Sequence, residues 1–82
     1  MKRLILKGDE LLKRSGAENV HRLSLTVQMG APTIYRYIKY PDQVKALDLA
    51  VFSQLVMRAL NLTQAEFLNL KLKDLFEFKP EE

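Results

Sequence analysis

Residues 20–40, VHRLSLTVQMGAPTIYRYIKY, hold two apolar patterns at helical spacing with a break between them. In the first, Val20, Leu23 and Val27 recur at helical intervals, with Leu25 off that line. Gly30 and Pro32 mark the break. Proline suits the first turn of a new helix, where its missing N–H is not needed. In the second pattern, from about Ala31 to Tyr40, Ile34, Tyr37 and Ile38 share one side. Tyr35, Arg36, Lys39 and Tyr40 share the other. Pro41 disfavours helical geometry at Tyr40 and closes the segment. The stretch predicts two short helices joined by a tight turn, each pinned to a core by one apolar face.

The flanking segments supply the rest of that core. Residues 3–7, RLILK, are apolar and bounded by Gly8, and Asp9 is a good N-cap. They read as a strand followed by a helix at about 9–15, with Leu11 and Leu12 on its core side. A single helix over 3–15 with Gly8 inside it competes. Asp9 and Glu10 precede Lys13 and Arg14, as the helix dipole favours, and Gly16 follows as a C-cap. Asn19 caps the helix at about 20–28. Asp48 caps another at about 49–60. That one is so apolar that it belongs to the core alone or to the core and a dimer contact. Thr63 and Glu66 form a capping box for a helix at about 64–70. Asp74-Leu75-Phe76 reads as one turn, although the alternation of Leu70 and Leu72 also suits a strand. A last strand at about 76–79 could pair with 3–7 as a ribbon. Phe52, Phe67, Phe76 and Phe78 read as core.

Eighty-two residues make one domain, 1–82, with a modest core that a dimer would support. The absence of cysteine removes disulfides, thiolate chemistry and cysteine zinc sites, and fits a cytoplasmic protein. No apolar run reaches the ~18 residues of a membrane span. A single histidine gives no metal cluster, and His21 with Ser24 lacks a carboxylate to orient the imidazole. There is no glycine-rich phosphate loop. The chain is read as no enzyme, without cofactor or small-molecule substrate. Its charge is uneven: residues 1–45 hold nine Lys/Arg against four Asp/Glu, and residues 46–82 hold four against six. No carboxylate occurs between Glu18 and Asp42, as suits a surface that meets phosphates.

Thr33-Ile34-Tyr35-Arg36-Tyr37-Ile38 resembles the recognition-helix core of bacterial helix-turn-helix repressors. The order of elements narrows the likeness. A short first helix and the helix pair come first. An apolar helix begun by Asp48-Leu49 and ending Arg58-Ala59-Leu60-Asn61-Leu62 follows, and Asp74-Leu75-Phe76-Glu77-Phe78-Lys79-Pro80-Glu81-Glu82 closes the chain. Together these are similar to the Cro/repressor-type (lambda-repressor-like, XRE) family, in particular its small members that end in a short strand. The resemblance covers most of the chain. It implies a mainly α, compact domain of four to five helices, with the ribbon as an addition. Two departures stand out. Anchored on Ile34, the family's turn glycine falls at Gln28 and its small first-helix residue at Ser24, while Gly30 takes the capping place usually given to Ser or Thr. That register puts Leu23, Val27, Met29, Ile34 and Tyr37 at buried positions. Leu62–Leu72 looks longer than in the smallest relatives, as an added helix or a dimer element.

In the family the second helix enters the major groove and the first lies across the backbone. Carried over, Ala31, Pro32, Thr33, Tyr35, Arg36 and Lys39 are the exposed positions of the reading helix. Arg36 is the candidate for direct readout, since a guanidinium can bond guanine O6 and N7 together. Thr33 or Pro32 would pack on a thymine methyl. Tyr35, Tyr40, Lys39 and Lys45 would meet phosphates, as would Arg22, with His21 a weaker candidate and Gln28 placed for a phosphate or base edge. The implied function is a homodimeric, sequence-specific double-stranded DNA-binding regulator, a repressor of phage, prophage or antitoxin type. The rival reading is a protein-interaction module using the apolar surface of residues 49–76.

Overall fold

The computed structural model describes residues 2–44 and 46–80. Strand β1 (Lys2–Leu6) leads into α1 (Gly8–Ser15), α2 (Val20–Val27) and α3 (Ala31–Lys39). A 3-10 turn at Pro41–Gln43 follows, then α4 (Leu49–Leu60), α5 (Gln64–Leu68), α6 (Leu72–Leu75) and strand β2 (Phe76–Pro80). The fold is mainly helical, with a two-stranded antiparallel sheet that joins the two ends of the chain in the register Leu4↔Phe78 and Leu6↔Phe76. Its radius of gyration, 12.2 Å, matches the ~12 Å of a compact chain of this length.

The core explains the element order. Leu23, Val27, Ile34, Ile38, Leu55 and Val56 are fully buried, so α2, α3 and α4 meet around one centre. Leu6, Leu11 and Leu75 add β1, α1 and α6 to the same cluster. The Phe52 ring of α4 sits 6.2 Å from Phe67 and 5.5 Å from Phe76, which ties α5 and β2 to the core by aromatic packing. The start of α1 lies directly on the end of α3. A Cβ at Gly8 would collide with the Ile38 carbonyl oxygen, so glycine there allows a backbone-to-backbone approach.

The caps form where the sequence places them. Asn19 Oδ1 accepts the Arg22 N–H at 2.9 Å, and Asp48 Oδ1 accepts those of Ala50 and Val51. Thr63 and Glu66 make the reciprocal box: the Thr63 N–H donates to Glu66 Oε1 at 3.0 Å and the Glu66 N–H to Thr63 Oγ1 at 3.2 Å. These bonds, the backbone one first, hold the Glu66 carboxyl below its ordinary value.

Several expectations are corrected. There are six α-helices among the described residues rather than four to five, because 72–75 closes a turn of its own. In that turn Asp74 Oδ2 accepts the Lys71 N–H at 2.8 Å. This also removes the strand alternative at Leu70 and Leu72. Residues 2–6 are a strand, so one helix over 3–15 does not form, and Gly8 is the first residue of α1 rather than its boundary. Helix α5 ends at Leu68, not at 70. Phe78 is not core: it is 64% exposed, because the ribbon runs past the helices that would cover it. No helix among the described residues is long and apolar enough to cross a membrane.

Candidate nucleic-acid interface

Helices α2 and α3 are joined by three residues, and their geometry decides where every side chain on α3 points. Gln28 adopts the left-handed conformation, φ 57° and ψ 44°. Its N–H and that of Met29 both donate to the Ser24 carbonyl, ending α2. A non-glycine residue in this region is strained by about 1–2 kcal/mol. The position that needs φ > 0 is therefore Gln28, where the sequence register places the family's glycine. Gly30 is extended and caps α3 without a side chain; its carbonyl accepts the N–H groups of Thr33 and Ile34 at 3.1 and 3.2 Å. Ser24 is buried and Met29 partly so, in line with the register anchored on Ile34.

A long-range bond stiffens this joint. Arg58, in the last turn of α4, donates from Nη1 to the Val27 carbonyl at 2.8 Å. A guanidinium thus satisfies an oxygen at the C-terminus of α2, where the helix dipole favours a cation. The sequence offered one hint of it: Arg58 is the one charged residue of a largely apolar helix.

With α2 and α3 held in this way, the exposed side of α3 follows from its period. At about 100° per residue, Ile34, Tyr37 and Ile38 define the buried side, and all three are buried. Pro32, Arg36 and Lys39 form the row diametrically opposite. Tyr35 and Tyr40 flank that row and are about half exposed. Ala31 and Thr33 are half-buried at the edges. On α2, Arg22 and His21 are exposed beside the equally exposed Leu25 and Thr26. Those last two residues were not singled out by the sequence. Leu25 breaks the apolar period, and that was the signal that it faces outward. Gln28 is exposed at the turn between the two helices. Lys45 lies outside the described residues.

The electrostatics are uneven along this surface. Among the described residues no carboxylate lies within ion-pair distance of Arg22 or Arg36. Lys39 differs. Its Nζ is 3.7 Å from Asp9 of α1, in an exposed pair worth at most about 1 kcal/mol. The carboxylate-free stretch of sequence therefore acquires an acid in space at its C-terminal end. Cationic character is greatest at the middle of α3 and on α2. Beyond Lys39 opens a cleft of about 800 Å³ of mixed charge, with Arg3, Asp9, Asp42, Glu77 and Lys79 in its walls.

A second depression lies on another side. It is an apolar groove of about 410 Å³ between the ribbon, the start of α4 and α6, lined by Leu4, Leu47, Leu49, Phe52, Leu72 and Phe76 among others. Comparison with models of known families, with characterised proteins and with solved structures found no match.

Proposed function

We propose that this chain is a sequence-specific double-stranded DNA-binding regulator with a lambda-repressor-like helix-turn-helix, a repressor that acts as a homodimer in the cytoplasm. The observation that carries this reading is the outward side of α3. Pro32, Arg36 and Lys39 lie in one row, tyrosines lie on both flanks, and among the described residues no carboxylate is paired with Arg36. In this reading α3 enters the major groove, Arg36 bonds a guanine edge, and Thr33 or Pro32 packs on a thymine methyl. Arg22, Tyr35, Tyr40 and Gln28 meet the phosphates or the rim of the groove. Lys39 contacts a phosphate by leaving Asp9. The strained turn at Gln28 and the Arg58 bond support the reading because they hold the two helices at one angle, as groove entry requires.

Duplexes selected from a random library supply the test. Binding followed by fluorescence should weaken with salt at about −0.9 in log–log slope per phosphate contacted. Arg36→Ala should lose about 1–3 kcal/mol of preference for the selected sequence with an unchanged thermal melt. Salt-independent binding, or an Arg36→Ala chain that keeps its full preference, would overturn the assignment.

One observation favours a second reading, a protein-interaction module. Leu49 and Leu72 are about three-quarters exposed beside the apolar groove. A stoichiometric protein partner, with no duplex bound at any salt concentration, would select it.

A further inference from the structure

The apolar groove and the cleft of mixed charge adjoin, sharing Ile5, Leu6 and Pro41, and they are unlike. The cleft has acids and bases in its walls. Among the described residues no charged side chain lines the groove. Leu6 and Phe52 form its buried floor, and Leu4, Leu49 and Leu72 stand exposed at its rim.

The walls are held in place. Arg3 donates to the Val44 carbonyl at 3.1 Å, which ties the segment after α3 to β1. The pairing of Leu6 with Phe76 fixes the ribbon side. The volume, about 410 Å³, falls within the ~300–1,000 Å³ of small-molecule sites, which are largely pre-formed, mostly apolar and supplied with a few polar groups.

The groove has one such polar group. Tyr37 of α3 lines it and is only 6% exposed. A buried phenol is usually hydrogen-bonded. Among the described residues the Tyr37 hydroxyl has no partner. No side-chain polar atom among those residues is sealed from solvent without one. The hydroxyl therefore keeps a path outward, and the groove is the opening that Tyr37 lines.

These features select an occupant. A charged ligand would leave water for walls that hold no counter-charge. A protein partner covers about 800 Å² on its side, far more than the walls of this groove expose. An uncharged molecule could bury its apolar part against Leu6, Phe52 and Phe76 and give one polar group to Tyr37.

We infer that the groove is a binding site for an uncharged, mostly apolar small molecule with one hydrogen-bonding group, which the Tyr37 hydroxyl recognises. This goes beyond the DNA reading and does not rest on it.

Three compounds with the same two-ring frame test it, by equilibrium dialysis against the full chain without DNA. 2-Naphthol should bind saturably, one per chain. Naphthalene, which lacks the hydroxyl, should bind about fivefold more weakly, as one net hydrogen bond implies. 2-Naphthoate, ionised at neutral pH, should bind more weakly than 2-naphthol by about tenfold or more. Tyr37→Phe removes an oxygen with no partner among the described residues, so its thermal melt should match the original. It should bind naphthalene as the unaltered chain does and lose the preference for 2-naphthol. Leu72→Asp puts a carboxylate on the rim at an exposed position. It should leave circular dichroism unchanged and weaken naphthalene and 2-naphthol alike by about tenfold. No saturable binding of 2-naphthol below millimolar concentration, equal binding of naphthalene and 2-naphthol, a preference that survives in Tyr37→Phe, or binding indifferent to Leu72→Asp would each overturn the inference. So would binding that disappears as the chain self-associates, since a second copy would then be the occupant of the groove.

Discussion

The two ends of this molecule dispose of their apolar side chains in opposite ways. Around α2 and α3 nearly every apolar residue turns inward, and Leu25 is the exception among the aliphatic ones. What remains outside is basic, aromatic or small. On the grooved face of the ribbon, Leu4, Leu47, Leu49, Leu72 and Phe78 remain outside, while Arg3, Glu77 and Lys79 line the cleft of mixed charge. The first surface leaves few aliphatic side chains in water. The second retains hydrophobic surface that the chain alone does not bury. A single fold therefore carries two unlike surfaces on two sides, with the core of α4 between them.

The sharpest way to break this contrast is to shorten one leucine on each side. Leu23→Ala removes a fully buried side chain and should cost about 3 kcal/mol, read from urea unfolding. Leu72→Ala, measured at a dilution where the chain is monomeric, should stay within about 0.5 kcal/mol. Equal costs would mean that the ribbon side is as well packed as the helix pair.

Next in size is the bond that braces the helix pair. Arg58→Ala leaves the Val27 carbonyl without its cationic donor and should cost about 1.5 kcal/mol, read from urea unfolding. Gln28→Gly acts in the other direction. It relieves the left-handed strain and should stabilise the fold by about 1 kcal/mol, seen as a higher melting temperature. A loss there would show that the Gln28 side chain holds the turn. The smallest effect concerns neither side. The folded-state pKa of Glu66 is lowered, so its capping contribution is present at neutral pH and is lost as pH falls below about 4.5 through the folded value. A melt series on Glu66→Gln should lose that part of the acid sensitivity.

Local signals were legible in the sequence. The caps at Asn19, Asp48 and Thr63 and the break at Gly30 and Pro32 rest on neighbouring residues with specific backbone preferences, and the terminal strands could be matched because each is a short extended run near one end of the sequence. Even Gln28 could be placed, because the family resemblance, anchored on Ile34, implies the turn position there. Apart from the ribbon, contacts between distant segments were not legible. The approach of Gly8 to Ile38, the Arg58 bond to Val27 and the acid beside Lys39 join residues 30 or more positions apart, and no periodicity encodes them. Phe78 misled for a related reason. An aromatic on an alternating strand looks like core, and only the length of the ribbon relative to the helices leaves it outside. The outward row on α3 was legible from its period, while the pairing of Lys39 was not.

Joining the first strand to the last has a kinetic consequence. Leu6 and Phe76 are 70 positions apart and pair directly. Closing a loop of that length carries an entropic cost that grows with its logarithm, and contacts so distant form slowly. The helices, whose contacts span fewer residues, should associate first and the ribbon should dock onto them afterwards. In reverse, fraying should begin at β1 and β2 while α2, α3 and α4 stay together. Amide hydrogens of the ribbon would then exchange by local opening, well ahead of those in the helix pair. The side of the fold that keeps apolar residues outside would then be the side held least firmly.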